Sequence, residues 1–147
     1  MGSSAWTAFS PYQDGISAAL EHARQQAFED QDYYWPYGKN GIPEHPRPSS
    51  LDSFWQPNTT EEFGAHCVID AEVALAPGEE PDFGTLSPPS IEDAIEVFGI
   101  DQPTRADFER AENDVWDLIN EESCGCYLVL YKDGQPHEIV FWGISGD

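Results

Sequence analysis

Residues 31–58 hold five prolines, at positions 36, 43, 46, 48 and 57, interleaved with Tyr33, Tyr34, Trp35, Tyr37, Phe54 and Trp55. Proline lacks the backbone N–H that a helix interior or a central strand requires. The stretch is therefore expected to be a long ordered loop, and the regular elements must come from the residues on either side. A loop of this length is unusual inside a compact domain and is often functional. Its rings can cover a face of the sheet while their polar tips reach the surface. They can also stack on a sugar, a base or a protein partner.

The flanking segments are periodic. Residues 4–9, Ser-Ala-Trp-Thr-Ala-Phe, predict a short strand. Residues 15–30 predict a helix, because Ile16, Ala19, Leu20, Ala23 and Ala27 recur on one face and Asp14 can cap the start. Residues 66–75 alternate. Cys67, Ile69, Ala71, Val73 and Leu75 share one side, and His66, Asp70 and Glu72 the other, which predicts a half-buried strand. Ser90, with Asp93 three residues on, starts a helix whose stripe is Ile91, Ala94, Ile95 and Phe98 and which Gly99 can end. Thr104 and Asp107 start a second long helix, striped by Phe108, Ala111, Val115, Leu118 and Ile119 and ending near Ser123. Residues 126–131 and 137–143 predict a hairpin around Asp133-Gly134, a pair suited to a type I′ turn.

The order of elements is strand, helix, long loop, strand, helix, helix, strand, strand. It predicts an α+β fold in one domain spanning residues 1–147. About four strands should form an antiparallel or mixed sheet, with two to three helices packed on one face. A chain of 147 residues can bury roughly two-thirds of its unfolded surface, enough for a real core.

Charge narrows the function. There are 28 Asp and Glu against 6 Lys and Arg, a formal net charge of −22. Five Trp among many other aromatics exclude a disordered acidic tail. The imbalance argues against direct binding to nucleic acid or to an anionic membrane, since each needs a basic face. Between Arg47 and Arg105 there are twelve acids and no Lys or Arg. The predicted helix after Thr104 adds Asp107, Glu109, Glu112, Asp114, Asp117, Glu121 and Glu122 against Arg105 and Arg110. Solubility uses some of this charge. The excess suits a surface that steers and complements a basic protein.

On a continuous helix, Trp116 projects beside Glu109 and Glu112, off the apolar stripe. An aromatic ring among carboxylates is the composition of an interface anchor, although Trp116 can equally widen the buried stripe. The candidate partner-binding residues are therefore Glu109, Glu112, Trp116 and Asp117, together with Tyr34, Trp35, Tyr37 and Trp55 from the loop.

Reactive groups add little. Cys67, Cys124 and Cys126 make an odd number, and no signal-peptide pattern opens the sequence. Both features predict a cytoplasmic protein. Apolar runs fall far short of the roughly 20 residues of a membrane span. Cys124 and Cys126 with His66 and Cys67 would supply four zinc ligands, but the pair is not C-x-x-C, and neighbours on a strand point opposite ways. No metal or cofactor is predicted. His22, His45, His66 and His137 lie in no nucleophile motif, and there is no phosphate-binding glycine loop, so no catalytic residue is assigned.

The segments Phe28–Gly38, His66–Asp70, Glu80–Thr85 and Glu138–Asp147 together resemble a group of small acidic actinobacterial proteins whose shared segments carry no assigned chemistry. The resemblance spans most of the chain and implies a bacterial cytosolic origin without supplying a site. In type rather than sequence, the chain also looks like bacterial toxin-immunity proteins. The expectation is an acidic protein-binding module, an immunity- or antitoxin-type inhibitor that occludes a basic partner. If that partner normally binds nucleic acid, carboxylates would stand where phosphates do. The alternative is a small enzyme or ligand-binding domain using the aromatic loop 33–55. An inhibitor should gather its acids on one surface, whereas an enzyme needs a pocket of converging polar groups.

Overall fold

A computed structural model describes residues 4–13, 15–55, 63–119 and 124–146. The fold is α+β, as expected. Its frame is the C-terminal hairpin of β6 (Gly125–Lys132) and β7 (Gln135–Ser145). Asp133 and Gly134 both have positive φ, the geometry of the predicted type I′ turn. β1 (Ser4–Pro11) pairs antiparallel with the far side of β7. On the other side β6 pairs in parallel with β5 (Thr85–Ser87), which pairs in parallel with β4 (Val73–Ala74). The result is a five-stranded mixed sheet in the order β1-β7-β6-β5-β4. The short β5 was not anticipated, because three residues after an acidic turn carry too little pattern.

The expectation that all helices share one face is corrected. α1 (Ile16–Glu29) covers one face, packing Ala19, Leu20 and Ala23 against Tyr127, Ile139 and Phe141. α2 (Ile91–Phe98) and α3 (Arg105–Arg110) cover the other, packing Ala94, Phe98, Phe108 and Ala111 against Cys126, Leu130, Val140 and Trp142. The reason lies in the hairpin itself. Residues 127–130 and 139–142 are unbroken apolar runs, so both faces of the sheet must be removed from water. The Asp14 cap expected for α1 lies outside the described residues.

Residues 66–75 do not form a strand. Val68–Asp70 is a 3₁₀ turn, and only Val73–Ala74 pairs, at the sheet edge. The cause is Asp70. Its carboxylate accepts from the backbone N–H of Ala65 at 2.7 Å and of His66 at 2.8 Å, curling the chain back on itself. The Ser145 hydroxyl donates to the same carboxylate at 2.6 Å and ties the turn to the end of β7. Val68 and Ile69 are consequently both buried, while Val73 is half exposed.

Residues 31–55 are a long loop, as the prolines require, broken only by the two-residue pair β2 (Gly41–Ile42) and β3 (His45–Pro46). Its rings do not cover the sheet. Tyr33, Trp35 and Phe54 form a separate core with Ala65 and Ile69, beside Ala27 and Phe28 at the end of α1. Tyr33 meets Phe54 edge-on at 4.9 Å, and the Arg47 guanidinium lies over Tyr33.

The helix predicted from Thr104 towards Ser123 is shorter. α3 has the expected capping box between Thr104 and Asp107 but ends at Arg110. A turn and a separate 3₁₀ segment, Val115–Leu118, follow. The Val115 carbonyl, which a continuing α-helix would give to the N–H of Ile119, instead accepts from the indole N–H of Trp142 at 3.0 Å, and Ile119 donates to Trp116. The predicted end near Ser123 lies outside the described residues.

Candidate functional site

α2 and the 3₁₀ segment run along the two sides of a groove. Ser90 caps α2 by accepting from the backbone N–H of Asp93, and Gly99 ends it with a left-handed φ of 75°. Ala94 and Phe98 fix its inner side in the core, which turns Asp93 and Glu96 to one flank. Val115 is 2% exposed and pinned to Trp142, which fixes the opposite wall and turns Asp114 and Asp117 outward. The cavity between the walls is about 370 Å³, lined by Asp93, Glu96, Val97, Asp114, Asp117 and Leu118. A second cavity of about 340 Å³ shares Asp93 and Leu118 with the first and extends past Glu80, Pro88 and Pro89 to Cys124 and Cys126.

The two spaces make one channel with five carboxylates on its walls, those of Glu80, Asp93, Glu96, Asp114 and Asp117. None of the described lining residues is Lys or Arg. Nearby cations are engaged elsewhere: Arg110 pairs with Asp107, and Arg105 bridges Glu109 and Glu138 at 2.9 Å each while lying over the Phe9 ring. Among the described residues no three His, Cys, Asp or Glu converge as a metal site would require. The acids are spread along the channel. Their summed charge makes the potential along the channel negative.

The sequence-predicted residues divide between two places. Asp117 is on the groove wall. Glu109 is exposed on α3 and paired with Arg105. Glu112 is exposed in the turn after α3. Trp116 is half-buried against the core formed by Phe108, Val115 and Trp142, because the break after Arg110 removes the helical register that would set it beside Glu109 and Glu112. The loop residues lie with α1, on the opposite layer. Tyr34 is exposed and meets the His66 ring edge-on at 5.3 Å. Trp35 is buried, and its indole N–H meets no hydrogen-bond partner among the described residues. Tyr37 stacks on His45 at 4.0 Å, and Trp55 is exposed beside Phe54.

Sequence reasoning counted Glu80, Glu96 and Asp114 only as part of the charge, and Asp93 as that and as part of the start of α2. The spacing of Asp93 and Glu96, three apart on the flank of a capped helix, was the available signal for one wall. The other wall depends on the break after α3 and on the bond from Trp142 that holds the segment beyond it.

A polar cluster outside the groove joins the start of β1 to the turn before β4. His66 Nδ1 lies 3.0 Å from the Ser4 hydroxyl, and the Asp70 carboxylate serves the backbone amides of Ala65 and His66 and the hydroxyl of Ser145. The Cys67 and Cys126 thiols are both pushed up to about 12, chiefly by burial, and Cys126 also by neighbouring Cys124. Among the described residues no helix is long and apolar enough to cross a membrane.

No protein family, curated protein or solved structure matches the chain.

Proposed function

We propose that the chain is an acidic protein-binding module that works in the cytoplasm as an immunity- or antitoxin-type inhibitor, occluding the functional surface of a basic protein. The observation that carries this reading is the acidic channel made by two adjoining cavities of about 370 and 340 Å³, which share Asp93 and Leu118 and are walled by five carboxylates. Long-range attraction from the net charge of −22 steers the partner in, and the channel then takes its Lys and Arg side chains. Apolar residues in the channel lining, Val97, Leu118 and Ile119, accept the alkyl stems of those side chains. A partner whose basic surface normally meets phosphates would be blocked by direct competition. The aromatic loop gives no comparable support to a ligand-binding reading, since Tyr33, Trp35 and Phe54 are spent on a core of their own.

The test is capture from native lysate by the wild-type chain and by an Asp114→Lys/Asp117→Lys variant. The expected result is a basic protein, released by salt, lost with the variant, and inhibited by the wild-type chain in its own assay. An acidic partner, or capture indifferent to both salt and the substitutions, would contradict the proposal.

A further inference from the structure

We infer that Ile91 and Ile95 are the apolar anchor of this binding surface, and that the partner segment it fits is amphipathic, with Lys or Arg along one side and aliphatic residues along the other. The inference rests on the acidic-channel reading and adds to it the chemistry of the occupant.

α2 presents three sides. Ala94 and Phe98 are buried in the core, and Val97 packs against it. Asp93 and Glu96 line the channel. The third side carries Ile91 and Ile95, one turn apart, which are 72% and 46% exposed. Both belong to the apolar stripe that the sequence assigns to the core. Folding leaves them in water because the inward direction of α2 is set by Ala94, Val97 and Phe98, about a quarter-turn further round at 100° per residue. Ile100, just past the left-handed Gly99, is 43% exposed and lengthens the patch.

Charge selects what can cover that patch. Glu92 and Glu96 share the exposed surface of the helix with the two isoleucines, and Asp101 follows Ile100. A second copy of the chain would bring another −22 charges to the contact. An anionic bilayer meets the same repulsion. A wholly apolar partner would strip water from those carboxylates without replacing it. A segment with basic residues beside aliphatic ones answers both requirements, apolar on Ile91 and Ile95 and cationic across the ridge into the channel. α2 is about 12 Å long, so the contact spans roughly two helical turns of partner.

The experiment titrates the full-length, isotopically labelled protein at low salt with two synthetic peptides of equal length and charge. One is an amphipathic Lys/Leu sequence; in the other every Leu is Ser. The Lys/Leu peptide is expected to bind tighter by on the order of ten-fold or more, shifting the α2 amide signals. An Ile91→Ser/Ile95→Ser variant, both positions being exposed, should keep its thermal melt and its affinity for the Lys/Ser peptide while losing the preference. Equal affinities for the two peptides, or a preference that survives in the variant, would overturn the inference and leave the channel reading standing. Failure of both peptides to bind would instead overturn the channel reading, and the inference with it.

Discussion

The indole N–H of Trp142, on the last strand, donates to the carbonyl of Val115 at 3.0 Å. One hydrogen bond thereby joins the sheet to the segment that carries Asp114 and Asp117, and it occupies the carbonyl that a helix would give to the N–H of Ile119. Trp142→Phe leaves that carbonyl without its donor in a site where Val115 and Trp142 are both essentially unexposed. The expected loss is about 2 kcal/mol or more, read as a lower urea midpoint. Equal stability of variant and wild type would show that the bond does not hold the segment.

Asp70 is a second fixed point. Its carboxylate takes two backbone amides and the hydroxyl of Ser145, 75 residues away. Asp70→Ala orphans the amide of fully buried Ala65 and should cost on the order of 3 kcal/mol. Ser145→Ala removes only one of the three bonds and should cost about 1 kcal/mol. Denaturant titration of the two variants checks the ranking, and a reversed order would place the weight on Ser145.

The α3 cap predicts a pH dependence. The backbone N–H of Thr104 holds the Asp107 carboxyl below its ordinary value of 3.8, helped by the Thr104 hydroxyl and Arg110. A carboxyl lowered on folding contributes stability that is fully present above its unfolded value and is lost as pH falls through its folded value. Asp107→Asn should therefore be less stable than wild type by about 1 kcal/mol at neutral pH. The gap should close as the solution is acidified below 3.8. Melting curves at stepped pH test this, and a gap independent of pH would assign the cap's contribution to something other than the carboxylate.

Local signals were legible in the sequence, and signals set at a distance were not. Ser90 with Gly99, Thr104 with Asp107, and Asp133 with Gly134 each act within a few residues, and each forms as the pattern predicts. The alternation at 66–75 was a true apolar pattern with the wrong backbone, because Asp70 bonds amides four and five residues before it. The stripe from Phe108 to Ile119 was a true core stripe, yet the helix beneath it stops at Arg110 and Trp142 holds the segment beyond. The candidate site was legible as a charge excess and not as a place. Asp117 was named with Glu109, Glu112 and Trp116 on one predicted helix, whereas its neighbours across the channel are Asp93 and Glu96 on α2. Nothing local in the sequence brings those two segments together.

The most direct test of the central claim is the association rate of the captured partner, followed from low to high ionic strength. If the channel carboxylates steer and hold a basic protein, the rate falls steeply as salt shortens the screening length to about 8 Å and below. Replacing Asp93, Glu96, Asp114 and Asp117 with Asn should lower the rate at low salt and flatten its salt dependence without unfolding the chain. An association rate indifferent to salt, or one unchanged by the four substitutions, would contradict the account.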